Sequence, residues 1–193
     1  MIRALSGAGM RRGLTKRQRA ALWAALFLAV YLLAFIVRAG AVTRQNRQGY
    51  VLALIGELEV TAYNLAQAQA GEEMLPGAAE NAAKAHDCLV NGAETTRYLS
   101  WTLREQSFAP RRTGGLERAL WRIVHQFSKG KSLTDGQAAY LQGAARAMER
   151  FCAAFPAQDG GIPHRCLTPA YYARQLAALE ERLAALEEEL GKS

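Results

Sequence analysis

The chain has 193 residues, with 24 Lys+Arg, 17 Asp+Glu and 3 Cys; 50% of its side chains are apolar but only 8% aromatic. That length suits one domain with a short appended segment, an Ala- and Leu-rich, Pro-poor composition favours helices over a β-sandwich, and three cysteines are too few for a disulfide-scaffolded miniprotein. The net charge of +7 resembles a nucleic-acid signature only until it is placed along the chain. Arg3, Arg11, Arg12, Lys16, Arg17, Arg19, Arg38, Arg44 and Arg47 are the charged side chains of residues 1–47, and no acidic residue occurs among them. The rest of the chain is slightly acidic. A protein that binds by neutralising phosphates carries its cations on the folded binding face, so no nucleic-acid partner is expected.

Residues 20–37 carry no charge. As a helix they extend about 27 Å, close to the hydrocarbon thickness of a bilayer. No helical projection of the stretch has a polar face, which argues against a surface or core helix and for a membrane span. Basic residues crowd the N-terminal side more than the C-terminal side, which places the N-terminus in the cytoplasm and the bulk of the chain outside. Ala39-Gly40-Ala41 also has the small-x-small form of a signal-peptidase site, so cleavage after Ala41 is the alternative; the apolar run exceeds an ordinary signal-peptide core and favours retention as an anchor. Arg11-Arg12 partly resembles a twin-arginine export signal, but Lys16, Arg17 and Arg19 explain it equally as basic flanking.

Beyond the anchor the spacing is helical throughout. Val51, Leu54, Leu58, Ala62 and Leu65 define a helix over about 43–70, expected to bend or break from the membrane helix near Gly40 or Gly49. A second helix is predicted over about 77–106, with Ala82, Ala85, Leu89, Ala93, Thr96, Ser100 and Leu103 on a small-residue face. Pro110 and Gly114-Gly115 mark a loop. Leu116, Leu120, Ile123, Val124 and Phe127 follow on an amphipathic helix. Thr134-Asp135-Gly136-Gln137 has capping-box form and opens a helix with Leu141, Ala144, Met148, Phe151 and Phe155 on one face. After a Pro/Gly-rich break, Thr168-Pro169 starts the last helix. There Tyr172, Leu176, Leu179, Leu183, Leu186 and Leu190 repeat at alternating spacings of four and three, as in a coiled coil. The same pattern also fits a helix packed back on the rest of the chain.

These elements predict an all-α protein: an N-terminal transmembrane helix, then an antiparallel helical bundle with a C-terminal heptad-repeat helix. The expected divisions are a basic cytoplasmic segment (1–19), a signal anchor (20–38), an extracytoplasmic bundle (43–155) and a coiled-coil-like helix (168–191).

No phosphate-binding loop, zinc-protease helix, nucleophile elbow or haem-attachment motif occurs. No catalytic residue, metal or cofactor is therefore expected, and the chain is not read as an enzyme. His86-Asp87-Cys88 and His164-Arg165-Cys166 share a His-x-Cys form. On a helix that spacing aims the two side chains apart, and the close CxxC spacing of zinc sites is missing. A Cys152–Cys166 disulfide across the Pro/Gly-rich loop is preferred, with Cys88 a buried thiol; in a reducing compartment all three would be thiols. His125 is expected in the packing or at its rim. Arg111, Arg112, Arg118 and Arg122 form a modest basic cluster that is either solvated or faces an anionic surface.

The anchor, the Tyr50–Leu65 helix, Ala82-Ala83-Lys84-Ala85-His86 and the run Phe127…Leu133-Thr134-Asp135…Leu141 resemble, in that order, the membrane-proximal region of the YpeB family of spore-germination proteins. This chain departs from that family in having no later repeated domains and in its zipper-like tail. The resemblance implies a sporulation or germination setting, a protein partner such as a cell-wall lytic enzyme at the outer membrane face, and no catalysis. The function expected is a membrane-anchored extracytoplasmic scaffold. It contacts lipid through its anchor, and docks a protein partner or a second copy through Leu176, Leu179, Leu183 and Leu186. The alternative is a ligand-sensing helical bundle of the bacterial-receptor type.

Overall fold

In the computed structural model, residues 15–74, 83–84, 86–95, 113–127, 129, 131–157 and 161–192 are described. They are helical or connecting, and no β-strand occurs among them. The helices are α1 (Lys16–Met74), α2 (86–95), α3 (Thr113–Phe127), α4 (Asp135–Ala153) and α5 (Pro169–Lys192), with a 3-10 turn at His164–Leu167. The chain divides into two compact units, Met1–Gln45 and Asn46–Ser193.

In the first unit, α1 opens with a reciprocal cap. The Gln18 amide N–H donates to the Thr15 hydroxyl at 3.3 Å, and the Thr15 N–H donates to the Gln18 side chain at 2.9 Å. Lys16, Arg17 and Arg19 stand in the first turn, where positive charge opposes the helix dipole. Their placement does not serve helix stability and needs another reason. An 18-residue window of this helix has a mean hydropathy of 2.6 and is 0% buried, which makes it long and apolar enough to cross a membrane. Exposure is spread around the whole circumference, with Trp23 at 68%, Phe27 at 75% and Leu33 at 63%.

The break expected near Gly40 or Gly49 is not there. The helix continues through both, and a Cβ built at either would meet nothing within 4 Å. A single glycine costs a helix roughly 0.5–1 kcal/mol relative to alanine, too little to interrupt one with good helix formers on both sides.

In the second unit the inward face of α1 is the one its spacing predicts: Val51, Leu54, Leu58, Ala62 and Leu65 are buried, joined by Ile55 and Ala68. Leu89 and Ala93 of α2 share the same core, and Gly92 lies against Leu65, its Cβ position 3.4 Å from Leu65 Cδ2. The other predicted small-face residues of that helix, Ala82, Ala85, Thr96, Ser100 and Leu103, lie outside the described residues.

α4 opens on the predicted capping box: Gln137 N–H donates to Thr134 Oγ1 at 3.2 Å, and Thr134 N–H donates to Gln137 Oε1 at 3.0 Å. Loss of an N-cap hydroxyl costs about 1 kcal/mol. Thr134→Ala is expected to lower the thermal midpoint by a few degrees in a calorimetric scan, with the helix content unchanged by circular dichroism.

α4 and α5 pack extensively on each other, and α3 also packs on α5. Leu186 in the second half of α5 lies over Gly143 at the middle of α4, whereas Phe151 near the end of α4 meets Tyr172 near the start of α5 at 6.4 Å between ring centroids. The two helices therefore run in opposite directions. Gly143 permits their approach: a Cβ there would lie 2.6 Å from Leu186 Cδ2. The connection is closed by Tyr171, whose hydroxyl donates to the Ala154 carbonyl at 2.8 Å, and by Phe155, whose ring sits edge-on to Tyr171 at 5.6 Å. Gly161 adopts φ 94°, a backbone conformation that other residues rarely adopt, and the Gln48 side chain lies against it.

Candidate binding groove between α3 and α5

α3 is divided lengthwise by its spacing. Leu116, Ala119, Leu120, Ile123 and Val124 are buried, while Arg118, Trp121, Arg122 and His125 lie on the exposed side at positions i, i+3, i+4 and i+7. Such positions share one helix face. Across from them, Glu187 of α5 is carried to the edge of the core by Leu186, which anchors its neighbour in the packing. Gly115 makes room for Glu187: any Cβ at position 115 would overlap the Glu187 carboxylate. Together these side chains border a groove of ≈ 810 Å³.

Tyr140 of α4 is not part of this lining. It is 2% exposed, and its hydroxyl is buried with no hydrogen-bond partner among the described residues. Its phenol is held well above the ordinary range by burial first and by the Glu187 charge second, with Arg122 acting the other way. Arg122 and Glu187 thus both lie within electrostatic reach of one buried oxygen. Opposite charges, an exposed indole and an imidazole converge on a space of ligand size.

The residues predicted to carry function fall elsewhere. Leu176, Leu179, Leu183 and Leu186 are 8%, 4%, 2% and 3% exposed and pack into the chain's own core. This corrects the expectation that they dock a partner or a second copy: α4, α3 and the 3-10 turn already pack on α5. The Cys152–Cys166 disulfide is likewise corrected. Both residues, and Cys88, are free thiols, Cys152 and Cys166 buried and Cys88 half-buried. α4 directs the Cys152 thiol at α1, where it donates to the Ile55 carbonyl at 3.8 Å. His86 is half-buried with an unpartnered Nδ1, His164 is exposed, and His125 stands on the groove rim. No group of three His, Cys, Asp or Glu side chains able to hold a metal occurs among the described residues. Arg111 and Arg112 lie outside them. Trp121, Glu187 and Tyr140 went unrecognised in the sequence reading. The signal for Trp121 was present in Arg118-x-x-Trp121-Arg122-x-x-His125 on a polar helix face, whereas Glu187 is one of three consecutive glutamates.

The buried acids of this core give it an alkaline limit. Burial first, then the nearby Glu59 charge, pushes the Cys152 thiol from 9.0 up to about 11. Burial and the Glu180 charge push the Tyr172 phenol from 10.0 up to about 12. Once these groups ionise in the unfolded chain, the folded chain still holds their protons, so folding is penalised as pH rises. The contribution of these groups is expected to stay constant from pH 7 to about 9 and to decline as the pH rises towards about 12. Urea unfolding midpoints measured from pH 7 to 11 check this, and a midpoint that does not move above pH 9 contradicts it.

Comparison of the chain with family models, with characterised proteins and with solved structures returns no match.

Proposed function

We propose that the protein is a single-pass membrane-tethered module: the anchor holds an antiparallel helical bundle at the extracytoplasmic face, and the bundle serves as a scaffold or interaction unit. The observation that carries this reading is the segment over residues 20–37, apolar on every side and buried nowhere. In water such a helix would leave a large apolar surface uncovered, and a lipid environment removes that cost. The basic side chains at its start oppose the helix dipole yet fit the cytoplasmic boundary of a membrane span. The final helix keeps its heptad spacing for the intramolecular seam with α4, which is why its leucines are not assigned to a partner. The resemblance to the YpeB family adds a germination setting with a lytic-enzyme partner, and rests on the short segments quoted above.

The orientation is tested by placing a cysteine at the exposed Ser132. A membrane-impermeant maleimide applied to intact cells is expected to label Ser132→Cys; labelling only after permeabilisation would put the bundle in the cytoplasm and overturn the reading. The groove between α3 and α5 favours a second reading, a ligand-sensing bundle.

A further inference from the structure

We propose that the outward face of α1 in the unit Asn46–Ser193 pairs with the same face of a second copy, in parallel, while both chains are anchored in one membrane. The pairing rests on the tethering role above, and its test reads membrane integration and association separately.

The face lies opposite the core. Asn46, Gly49, Ala53, Gly56, Val60 and Tyr63 are exposed and follow one another at alternating spacings of three and four, so they form a single stripe along the helix. The buried stripe of α1 described above occupies the other side. A helix face turned to water ordinarily carries charge, and this one carries none. Val60 is 50% exposed and Tyr63 64%, with Tyr50 and Leu52 on the two edges at 47% and 41%. Gly49 and Gly56 each weaken the helix relative to alanine, yet a Cβ at either would meet nothing within 4 Å. No contact among the described residues accounts for them; the close approach of a second helix backbone would.

Polarity and charge identify the occupant. With the stripe as the a and d positions of a heptad, Asn46, Ala53 and Val60 fall at a. A parallel pair sets Asn46 against Asn46, where two amides can bond each other and fix the register. An antiparallel pair sets a against d and gives Asn46 no matching amide. The flanking charges agree with a second copy. In the parallel register Glu57 faces Leu52 of the other chain and Glu59 faces Asn64, so no carboxylate opposes another. Two copies anchored through the same N-terminal segment also stand the same way up in a membrane.

Area sets the strength of the pair. The stripe runs about 26 Å along the helix axis, and its partly exposed aromatic and aliphatic side chains offer on the order of 400 Å² per copy. A stable pair in solution buries about 800 Å² on each partner. The face alone is therefore too small to hold two copies in dilute detergent, and pairing depends on the raised effective concentration within a shared bilayer.

The test is disulfide crosslinking of the purified full chain in liposomes of phosphatidylethanolamine and phosphatidylglycerol, with flotation of the same samples as the measure of integration. Each variant is compared with the unaltered chain, whose own thiols are buried or half-buried. Oxidation is expected to join Ala53→Cys and Val60→Cys into a species of doubled mass at least tenfold faster than Ser132→Cys, which is exposed away from α1. Adding Gly56→Glu to Ala53→Cys should slow the reaction at least tenfold, because two carboxylates then face each other. Mixing chains that carry Gly56→Glu with chains that carry Gly56→Lys should restore it. A side chain at position 56 meets nothing in its own chain, and both substitutes are better helix formers than glycine, so circular dichroism should show an unchanged fold. Liposomes that float without the chain overturn the tether and the pairing together. A chain that floats but crosslinks no faster at Ala53 than at Ser132 overturns the pairing alone, as does crosslinking that Gly56→Glu leaves intact. Protection of Val60→Cys from maleimide in liposomes without any crosslink also overturns it, and would mean that lipid covers the face.

Discussion

Replacing Leu183 with alanine is expected to lower the unfolding free energy by about 2–5 kcal/mol, with a midpoint independent of protein concentration. Leu183 is 2% exposed and belongs to the continuous core built from α1, α3, α4 and α5. Removing its branched side chain forfeits both the transfer of those carbons from water and the contacts that surround the space left behind. The concentration arm separates the two fates open to a heptad helix. Leucines that seal a seam between copies give a midpoint that rises with concentration by mass action. Leucines that seal a seam within one chain do not. Urea unfolding in detergent at two concentrations tenfold apart reads the difference. A concentration-dependent midpoint for the wild-type chain, with little effect of Leu183→Ala at high concentration, would restore the intermolecular zipper.

The double variant Leu26→Arg/Leu33→Arg is expected to abolish membrane integration. Each arginine near the centre of a spanning helix costs about 2.5–3.5 kcal/mol on insertion scales. Two together cost about 5–7 kcal/mol, enough to reverse partition by several powers of ten. Leu26 and Leu33 are 50% and 63% exposed, so neither substitution removes a core contact, and the second unit should melt at an unchanged temperature. Flotation of cell membranes on a density gradient measures the outcome. A double variant that floats as the wild type does would mean that residues 20–37 do not lie in hydrocarbon.

Much of the core was legible because burial imposes a period. The spacing of Val51, Leu54, Leu58, Ala62 and Leu65 marked the buried stripe of α1, and Thr134 with Gln137 marked the start of α4 through a bond pattern only three residues long. Both are local. The heptads of α5 illustrate the limit of such reasoning: a period states that Leu176, Leu179, Leu183 and Leu186 will be covered, and is silent on whether the cover is the same chain. Gly143 held the missing information, since it lets Leu186 settle onto α4, but that contact joins residues far apart in sequence. The cysteines failed for a related reason. Loop length permitted Cys152 and Cys166 to meet, yet the direction of the Cys152 thiol is fixed by its position on α4, and it points at Ile55.

The groove was only partly readable. One wall, Arg118, Trp121, Arg122 and His125, lies on a single helix face and follows from helical spacing alone. The other wall is Glu187, one of three consecutive glutamates, which nothing local sets apart from Glu188 or Glu189. Its role depends on Gly115, which sits more than seventy positions earlier. Tyr140 could not be seen in advance, because a tyrosine on an apolar face ordinarily finds a partner for its hydroxyl.

The most direct measurement is alkaline carbonate extraction of membranes from cells making the unaltered chain, followed by flotation. Carbonate strips proteins held by charge or by contact with other proteins, and leaves those whose helices cross the hydrocarbon. The full-length chain should remain in the floating lipid fraction; its recovery in the carbonate supernatant would show that the apolar helix at Ala20–Val37 finds its cover in protein rather than in lipid.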